Sequence, residues 1–516
     1  MLFNSYPFIF VFLPIVLLGY QIAGRFHRKA VIAWLAFSSL VFYGYWRPAM
    51  VFLLLASIGI NYLGGALISG QIKTKVSARV WLIVAIAADL SLLCYYKYLF
   101  PSLNFLSNAL GTSHHWMNVI LPLGISFYTF TQIAFLVDLY QGIAQQQDLV
   151  SYSLFVTFFP HLIAGPILHH KEMMPQFRDK ERSGLKLDDV VVGSSWFILG
   201  LGKKVLYADH FALIADPIFN TSQRLTTGSA WMGALAYALQ LYFDFSGYSD
   251  MALGLARMFS IQFPLNFNSP FKSTSIIDFW QRWHMTLTHY IMAYLYTPLQ
   301  RWARERRVKA GKSVARREMH KPGVFLSLVA GPMMVTLLLA GIWHGAGLQY
   351  IAYGALHGIL LVINHAWNIM RKSPETEAAI HPRLAQLRRM GATLLTFLCV
   401  MVTFIFFRSR GLGHATQFLA SLAGLHHGAG YSLPLGHKLA ALLIALGLAV
   451  VWLLPNTQQI LTRYQPSLDK IAWEDLRVPR WMQWSPNWMW AALLGVMFFV
   501  VLFQMEDPST FLYFQF

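Results

Sequence analysis

Charge is scarce in this 516-residue chain: Asp, Glu, Lys and Arg make up only 12% of it. An ordinary soluble domain carries ~25%, and a soluble protein of this length would divide into several domains joined by polar linkers. Cysteine is nearly absent as well. Cys94 and Cys399 both lie in apolar stretches, which excludes a disulfide framework and any cysteine-stapled extracellular domain. The common catalytic and nucleotide-binding signatures are missing too: no HExxH, GxSxG, GxGxxG or EF-hand loop occurs. Gly311-Lys312-Ser313 imitates the end of a P-loop, but Arg306 stands where its first glycine belongs and no strand precedes it. The pairs His114-His115, His169-His170 and His426-His427 lack flanking ligands at metal spacing, so no metal is assigned.

What the chain has is hydrophobicity. Apolar residues make up 56%, in runs that approach or exceed the ~18–20 residues needed to cross a bilayer. They recur along the whole length, which excludes a soluble enzyme, a disordered protein and a single-span receptor. The chain reads as an all-α polytopic membrane protein. Its 40 Lys and Arg against 22 Asp and Glu give a net charge of +18. Those cations sit in short loops between apolar runs, the pattern that orients membrane proteins, rather than on a solvated face offered to nucleic acid. Such loops would also attract anionic membrane lipids or a phosphate-bearing donor.

The opening MLFNSYPFIFVFLPIVLLGY has no basic n-region and no small-residue cleavage site, so it reads as a retained helix. Arg25, Arg28 and Lys29 follow it, which places the N-terminus outside, on the periplasmic face of a bacterial inner membrane. Further spans are expected near 30–46, 48–68, 80–99, 118–140, 190–216, 229–258, 324–343, 347–369, 390–407, 437–455 and 486–505, while the shorter stretch 283–300 runs into a strongly basic loop and reads as half-penetrating. Lys73, Lys75 and Arg79, then 301–321, then Arg371 and Lys372, then Arg463, Lys470, Arg477 and Arg480 mark inner loops. The sum is about 11–13 crossings. Segment 150–168, VSYSLFVTFFPHLIAGPIL, is apolar but carries Pro160, His161, Gly165 and Pro166 and has both ends on the inner side, so it reads as re-entrant or interfacial. No internal repeat is visible, which gives an inverted-repeat transporter no support.

Ionisable and polar groups inside a membrane are costly unless they are paired or face a cavity. Two short clusters stand out, Phe279-Trp280-Gln281-Arg282-Trp283-His284 and Gly341-Ile342-Trp343-His344-Gly345-Ala346-Gly347. His344 lies 23 residues after Lys321, ~35 Å of straight helix, and Pro332 and Gly341 favour a kinked or tilted path. That puts it at the tip of a hairpin deep from the cytoplasm. A catalytic histidine and a hydrogen-bonded structural histidine both fit these residues. In a continuous helix Trp280 and His284 would share a face, and Asp278 would pair with Arg282; an interfacial Trp/Arg/His belt is the plainer alternative. Asp244 and Asp250, within the apolar run Gln240–Asp250, suggest either a structural polar network or a cavity wall with catalytic acids.

WQRWH, followed some sixty residues later by GIWHGAG, resembles the membrane-bound O-acyltransferase superfamily. FFPHLIAGPIL, LYFDFSGYSDMALGLARMFSIQFPLNFNSPF and the terminal FLYFQF, with the opening segment, resemble its bacterial alginate O-acetylation branch. The resemblance covers nearly the whole chain. It implies one transmembrane domain over 1–516, with N-terminal spans 1–140, a core with re-entrant segments 150–370 and C-terminal spans 390–516, arranged around a central funnel or tunnel. It carries the family's invariant histidine onto His344 and its second position onto His284. Trp343, Trp280, Trp283, Arg282, Asp244, Asp250, Asn266 and Asn268 become supporting candidates. His289 in MTLTHY and the His169-His170 pair after GPIL depart from the pattern expected of many relatives.

The implied activity is acetyl transfer from a cytoplasmic thioester, acetyl-CoA, toward an exported polysaccharide of the alginate or cellulose type, directly or through a periplasmic partner protein. No bound cofactor is implied. D-alanyl or other acyl transfer to a cell-wall polymer is the alternative within the enzyme class, and a transporter or flippase is the alternative outside it.

Overall fold

The computed structural model describes the whole chain except residues 113–115, 118, 222, 372–380, 426–427, 429–432, 466, 470–477, 506–510 and 513–516. His114-His115, His426-His427, the loop markers Lys372, Lys470 and Arg477, and the last four residues of FLYFQF lie outside the described residues.

The first helices are α1 Leu13–Gly24, α2 Arg28–Gly44, α3 Pro48–Ile68, α4 Ala78–Cys94, α5 Phe100–Ala109, α6 Ile125–Tyr140, α7 Leu149–Thr157 and α8 His170–Arg178. There follow α9 Leu187–Gly202, α10 Asp209–Asn220, α11 Thr227–Met258, α12 Ile276–Trp280, α13 Met285–Ile291, α14 Thr297–Lys309 and α15 Pro322–Phe325. Then come α16 Gly331–His344, α17 Leu348–Met370, α18 Pro382–Arg408, α19 Leu412–Leu422, α20 His437–Leu453, α21 Thr457–Ile460 and α22 Trp488–Gln504. Among the described residues no strand forms, and one isolated antiparallel bridge joins Phe267 to Trp283. Among the described residues six helical stretches are long and apolar enough to cross a membrane, including Ala78–Ala109, Leu187–Asn220 and Pro322–His344. The protein is an all-α, multi-pass membrane protein.

Helix starts follow local chemistry. Asp148, Ser275 and Asn487 each accept the backbone N–H three residues on, at 3.0, 3.1 and 2.9 Å, and Pro48, Pro322 and Pro382 open their helices where no donor is lost. Interior prolines are met differently. Widened π turns at Pro7–Phe12, Tyr95–Leu99, Met292–Tyr296 and Leu326–Ala330 each end two residues before a proline: Pro14, Pro101, Pro298 and Pro332. A proline ring clashes with the carbonyl four residues back and gives that carbonyl no donor, and a wider turn relieves the clash. At Pro332 the carbonyl in question belongs to Leu328, which accepts instead from the Gln300 side chain at 3.0 Å.

Three expected boundaries shift, the first two at such turns. The span expected at 80–99 continues as helix through Pro101 to Ala109. The inner loop expected at 301–321 begins as helix, because α14 carries Arg301 through Lys309. The span expected at 118–140 is helical only from Ile125, since Gly124 takes a left-handed φ of +71° before it.

The chain divides into two compact units. The first comprises Met1–Leu206, Phe245–Leu265 and Thr457–Gln515. Within it α9 packs against the C-terminal part of α11 through glycines: a Cβ on Gly193 would lie 2.5 Å from the Gly254 carbonyl oxygen, and one on Gly200 would lie 2.7 Å from that of Gly247. Small residues of this kind let membrane helices approach backbone to backbone. Between α7 and α8 the backbone is irregular from Phe158 to Leu168, and Phe158, Phe159, Leu162, Ile163, Ile167 and Leu168 are all at most 2% exposed. Non-helical backbone in a membrane protein needs this protein shield. The second unit comprises Tyr207–Asp244 and Asn266–Asn456, and both singled-out clusters belong to it.

Candidate active site

His344 is the last residue of α16, after which the chain turns through Gly345, Ala346 and Gly347 into α17. The hairpin is tight because a Cβ on Gly341 would lie 2.4 Å from the Tyr350 carbonyl oxygen, and one on Gly354 would lie 2.3 Å from that of Leu337. The first glycine of GIWHGAG thus has a packing reason. His344 is buried in an aromatic cage. Its ring centroid is 4.7 Å from Trp343, 5.6 Å from Tyr353 and 5.0 Å from Phe407, the last two edge-on.

The WQRWH segment does not run on as helix, so the shared face expected of Trp280 and His284 is not formed. α12 stops at Trp280, and His284 takes a left-handed φ of +44° as the N-cap of α13. A side chain other than glycine rarely adopts this conformation, and the surroundings must hold it there. The bridge between Phe267 and Trp283 does so, with Met285 N–H bonded to the Asn266 carbonyl at 2.9 Å and Asn268 N–H bonded to that of Arg282 at 2.9 Å. Asn266 Oδ1 accepts from Thr286 Oγ1 at 2.9 Å and faces His284 Nδ1 at 2.9 Å. With that amide oxygen as acceptor, Nδ1 carries the proton of the neutral ring and Nε2 holds its lone pair. The Asp278–Arg282 pair forms as expected, Oδ1 to Nε at 2.6 Å. Asn268 Oδ1 accepts from Asn456 Nδ2 at 3.2 Å.

Two helix faces bring the clusters together. On α18, Thr403, Phe404 and Phe407 project to one side. Phe404 stands 5.2 Å from the Trp283 ring and Phe407 stands 5.0 Å from His344, so the two motifs reach α18 within one turn of each other. On α17, Tyr353 meets His344, His357 meets Trp280, and Asn364 Oδ1 accepts from the Ile277 N–H at 3.1 Å. Trp283 also stacks on Phe279 at 5.6 Å.

His357 was missed in the sequence, although a histidine inside the span expected at 347–369 is itself a signal. It is fully buried and bonded at both nitrogens, to Trp280 Nε1 at 3.3 Å and to Thr403 Oγ1 at 2.9 Å. Asp89, likewise missed within an expected span, is buried in the first unit, where Oδ1 accepts from Asn61 Nδ2 at 2.7 Å. Asp250 also belongs to the first unit; its Oδ2 takes Lys203 Nζ at 2.6 Å and Thr457 Oγ1 at 2.7 Å. Asp244 is buried in the second unit. Of the two departures, His289 is exposed on α13, and His170 is buried with Nδ1 3.4 Å from Asp138 Oδ2. Among the described residues no His/Cys/Asp/Glu group could hold a metal ion.

The chain is similar to several known proteins. Residues 92–315 match the model of MBOAT, the membrane-bound O-acyltransferase family, a stretch that includes Trp280–His284 and ends before His344. The chain is 38% identical over 456 residues to a peptidoglycan O-acetyltransferase of Helicobacter pylori, covering 83% of this chain and 80% of that protein. It is 37% identical over 418 residues to a probable alginate O-acetylase of Pseudomonas aeruginosa, covering 80% of this chain and 73% of that one. A teichoic acid D-alanyltransferase of Streptococcus thermophilus is 28% identical over 295 residues, covering 55% of this chain and 68% of that one. With two such relatives aligned over most of their length, the chain belongs to the membrane-bound O-acyltransferase family, and it is an acyltransferase.

Proposed function

We propose that this enzyme transfers acetyl groups from acetyl-CoA, taken from the cytoplasm, toward an exported polysaccharide of the alginate or cellulose type, directly or through a periplasmic partner protein. It does so as one transmembrane domain of the bacterial inner membrane with its N-terminus outside. The observation that carries the reading is the meeting of His344 and the WQRWH segment on the same faces of α17 and α18.

In this reading His344 takes the proton of the acceptor hydroxyl while the oxygen attacks the thioester carbonyl carbon. The new C–O bond forms, the C–S bond breaks, and the proton passes to the departing CoA thiolate. Imidazole suits this because its ordinary pKa lies near neutrality. His284, oriented by Asn266, positions the donor or polarises its carbonyl. Trp343, Trp280 and Trp283 keep water from the hydrolysable thioester. Arg282 and Asn268 hold the segment that presents His284. Asp244 stands as a wall candidate, and Asp250 is a weaker one, since Lys203 and Thr457 already engage it.

A second reading, D-alanyl transfer to a cell-wall polymer, draws on the likeness to the teichoic acid D-alanyltransferase. Purified protein in detergent, given acetyl-CoA with and without an acceptor, separates these cases. Acceptor-dependent CoA release supports acetyl transfer. Turnover with a D-alanyl thioester and none with acetyl-CoA supports the second reading, and no turnover with either thioester counts against both.

A further inference from the structure

A pocket of about 450 Å³ opens between α14 and the helix Pro322–His344, and neither His284 nor His344 lines it. Its wall is apolar: Leu299, Trp302, Ala303, Leu326, Pro332 and Val335. Several of these are turned outward, Trp302 being 59%, Leu326 60% and Val335 44% exposed. Its rim is cationic, formed by Arg306, Arg307 and Lys312. From Leu326 to Val335 the apolar wall runs about 14 Å along the span.

The rim cations differ in what they already hold. Arg307 braces the loop, donating to the carbonyls of Ser313 at 3.0 Å and Gly323 at 2.8 Å and to Ser327 Oγ at 2.9 Å. Arg306 lies over the Trp302 ring at 5.5 Å. No described carboxylate pairs with Arg306 or Lys312. Residues 301–321 hold nine Lys and Arg against Glu305 and Glu318, a surplus of seven. Glu318 is engaged elsewhere: the Ser313 hydroxyl and Lys321 Nζ, the latter at 2.9 Å, hold its carboxyl below the ordinary range, so it stays ionised without neutralising the pocket.

We propose that this pocket is a binding site for one anionic phospholipid, with the phosphate between Arg306 and Lys312 and an acyl chain along Leu299, Leu326, Pro332 and Val335. A cationic rim set directly above an apolar wall on a membrane-crossing helix matches an amphiphile, whereas a soluble nucleotide would engage the rim and place nothing against the wall. Basic residues at a membrane surface recognise anionic headgroups in this manner, and the Arg306–Trp302 contact keeps the guanidinium at interface height.

The test is native mass spectrometry of the full chain in detergent with added phosphatidylglycerol or phosphatidylcholine. The expected result is one phosphatidylglycerol retained at collision energies that strip phosphatidylcholine. The double variant Arg306→Gln/Lys312→Gln loses that retention about 30-fold, the loss of two interfacial cations. The charge-matched Lys73→Gln/Lys75→Gln does not, and Val335→Trp weakens retention with the rim intact. Equal retention of both lipids, or equal loss in the two double variants, overturns the site, since net charge alone would then explain binding. Displacement of the lipid by millimolar CoA also overturns it and assigns the pocket to a nucleotide. Monodisperse elution of each variant checks folding.

Discussion

Trp280 donates its indole N–H to Nδ1 of His357, 77 positions later in the chain, at 3.3 Å. An indole nitrogen can only donate, so Nδ1 of His357 is the acceptor and Nε2 bears the hydrogen. That hydrogen goes to Thr403 Oγ1 at 2.9 Å, and the Thr403 hydroxyl in turn donates to the Val400 carbonyl at 2.7 Å. The tautomer is fixed from one end of the chain of bonds to the other, and α12, α17 and α18 are joined by it.

His357→Phe should therefore keep the ring, which stacks on Phe279 at 6.2 Å, and lose both bonds. Leaving the Trp280 N–H buried without an acceptor costs about 1–3 kcal/mol. The expected outcome is a lower unfolding midpoint in detergent together with reduced transfer, and Thr403→Val should show a smaller drop. An unchanged midpoint in both variants would mean the chain of bonds carries no stability.

The two site histidines should separate kinetically. His344→Ala is expected to lower kcat by ~10²–10⁴-fold with little change in donor affinity, as for loss of a positioned base. His284→Ala should impair transfer with the larger effect on donor affinity, and His284→Asn should be milder because an amide can retain one bond to Asn266. The measurement is acyl transfer beside donor binding, with elution as a folding check. Well-folded His344→Ala protein with near-normal transfer would remove the base assignment.

The α16–α17 contact offers a packing test. Gly354→Ala would put a Cβ 2.3 Å from the Leu337 carbonyl oxygen, so the helices must part. A loss of about 1–3 kcal/mol is expected, and activity should fall because His344 ends the displaced helix. Gly391→Ala, where nothing lies within 4 Å of the new atom, is the control and should be neutral. Thermal unfolding of both proteins decides it.

Arg304→Ala and Arg317→Ala should leave turnover largely intact, because both side chains are exposed and their charge serves orientation. Abolished donor binding in either one, at ordinary salt, would promote that surface to a donor site.

Much of the helical layout was legible because apolar runs bounded by cations leave few other readings. The segments expected at 190–216, 229–258, 437–455 and 486–505 appear as Leu187–Asn220, Thr227–Met258, His437–Leu453 and Trp488–Gln504. The errors lie where local rules compete. The span expected to stop at 99 runs on, because the π turn at Tyr95–Leu99 carries the helix past Pro101. Phe279–His284 looked like helix, but a left-handed residue at His284, held by Asn266 and Asn268, ends that pattern. Both motifs were visible as polar clusters in apolar sequence, yet their meeting was not. It depends on Tyr353, His357, Phe404 and Phe407, whose spacing says only that they share faces, not what those faces touch.

The π turns bear on how such a chain can change in length. Gaining or losing one residue in a regular helix rotates everything beyond it by about 100°. A π turn already holds one residue more than a regular turn and absorbs it locally. Leu326–Ala330 lies between the basic helix and His344, so a one-residue gap falling there would leave the caged histidine facing the same way, whereas the same gap two turns later would swing it out of its cage. Aligned sequences of this family should be checked for single gaps at these turns, and a helical wheel drawn straight through Pro322–His344 will misplace one of its two halves.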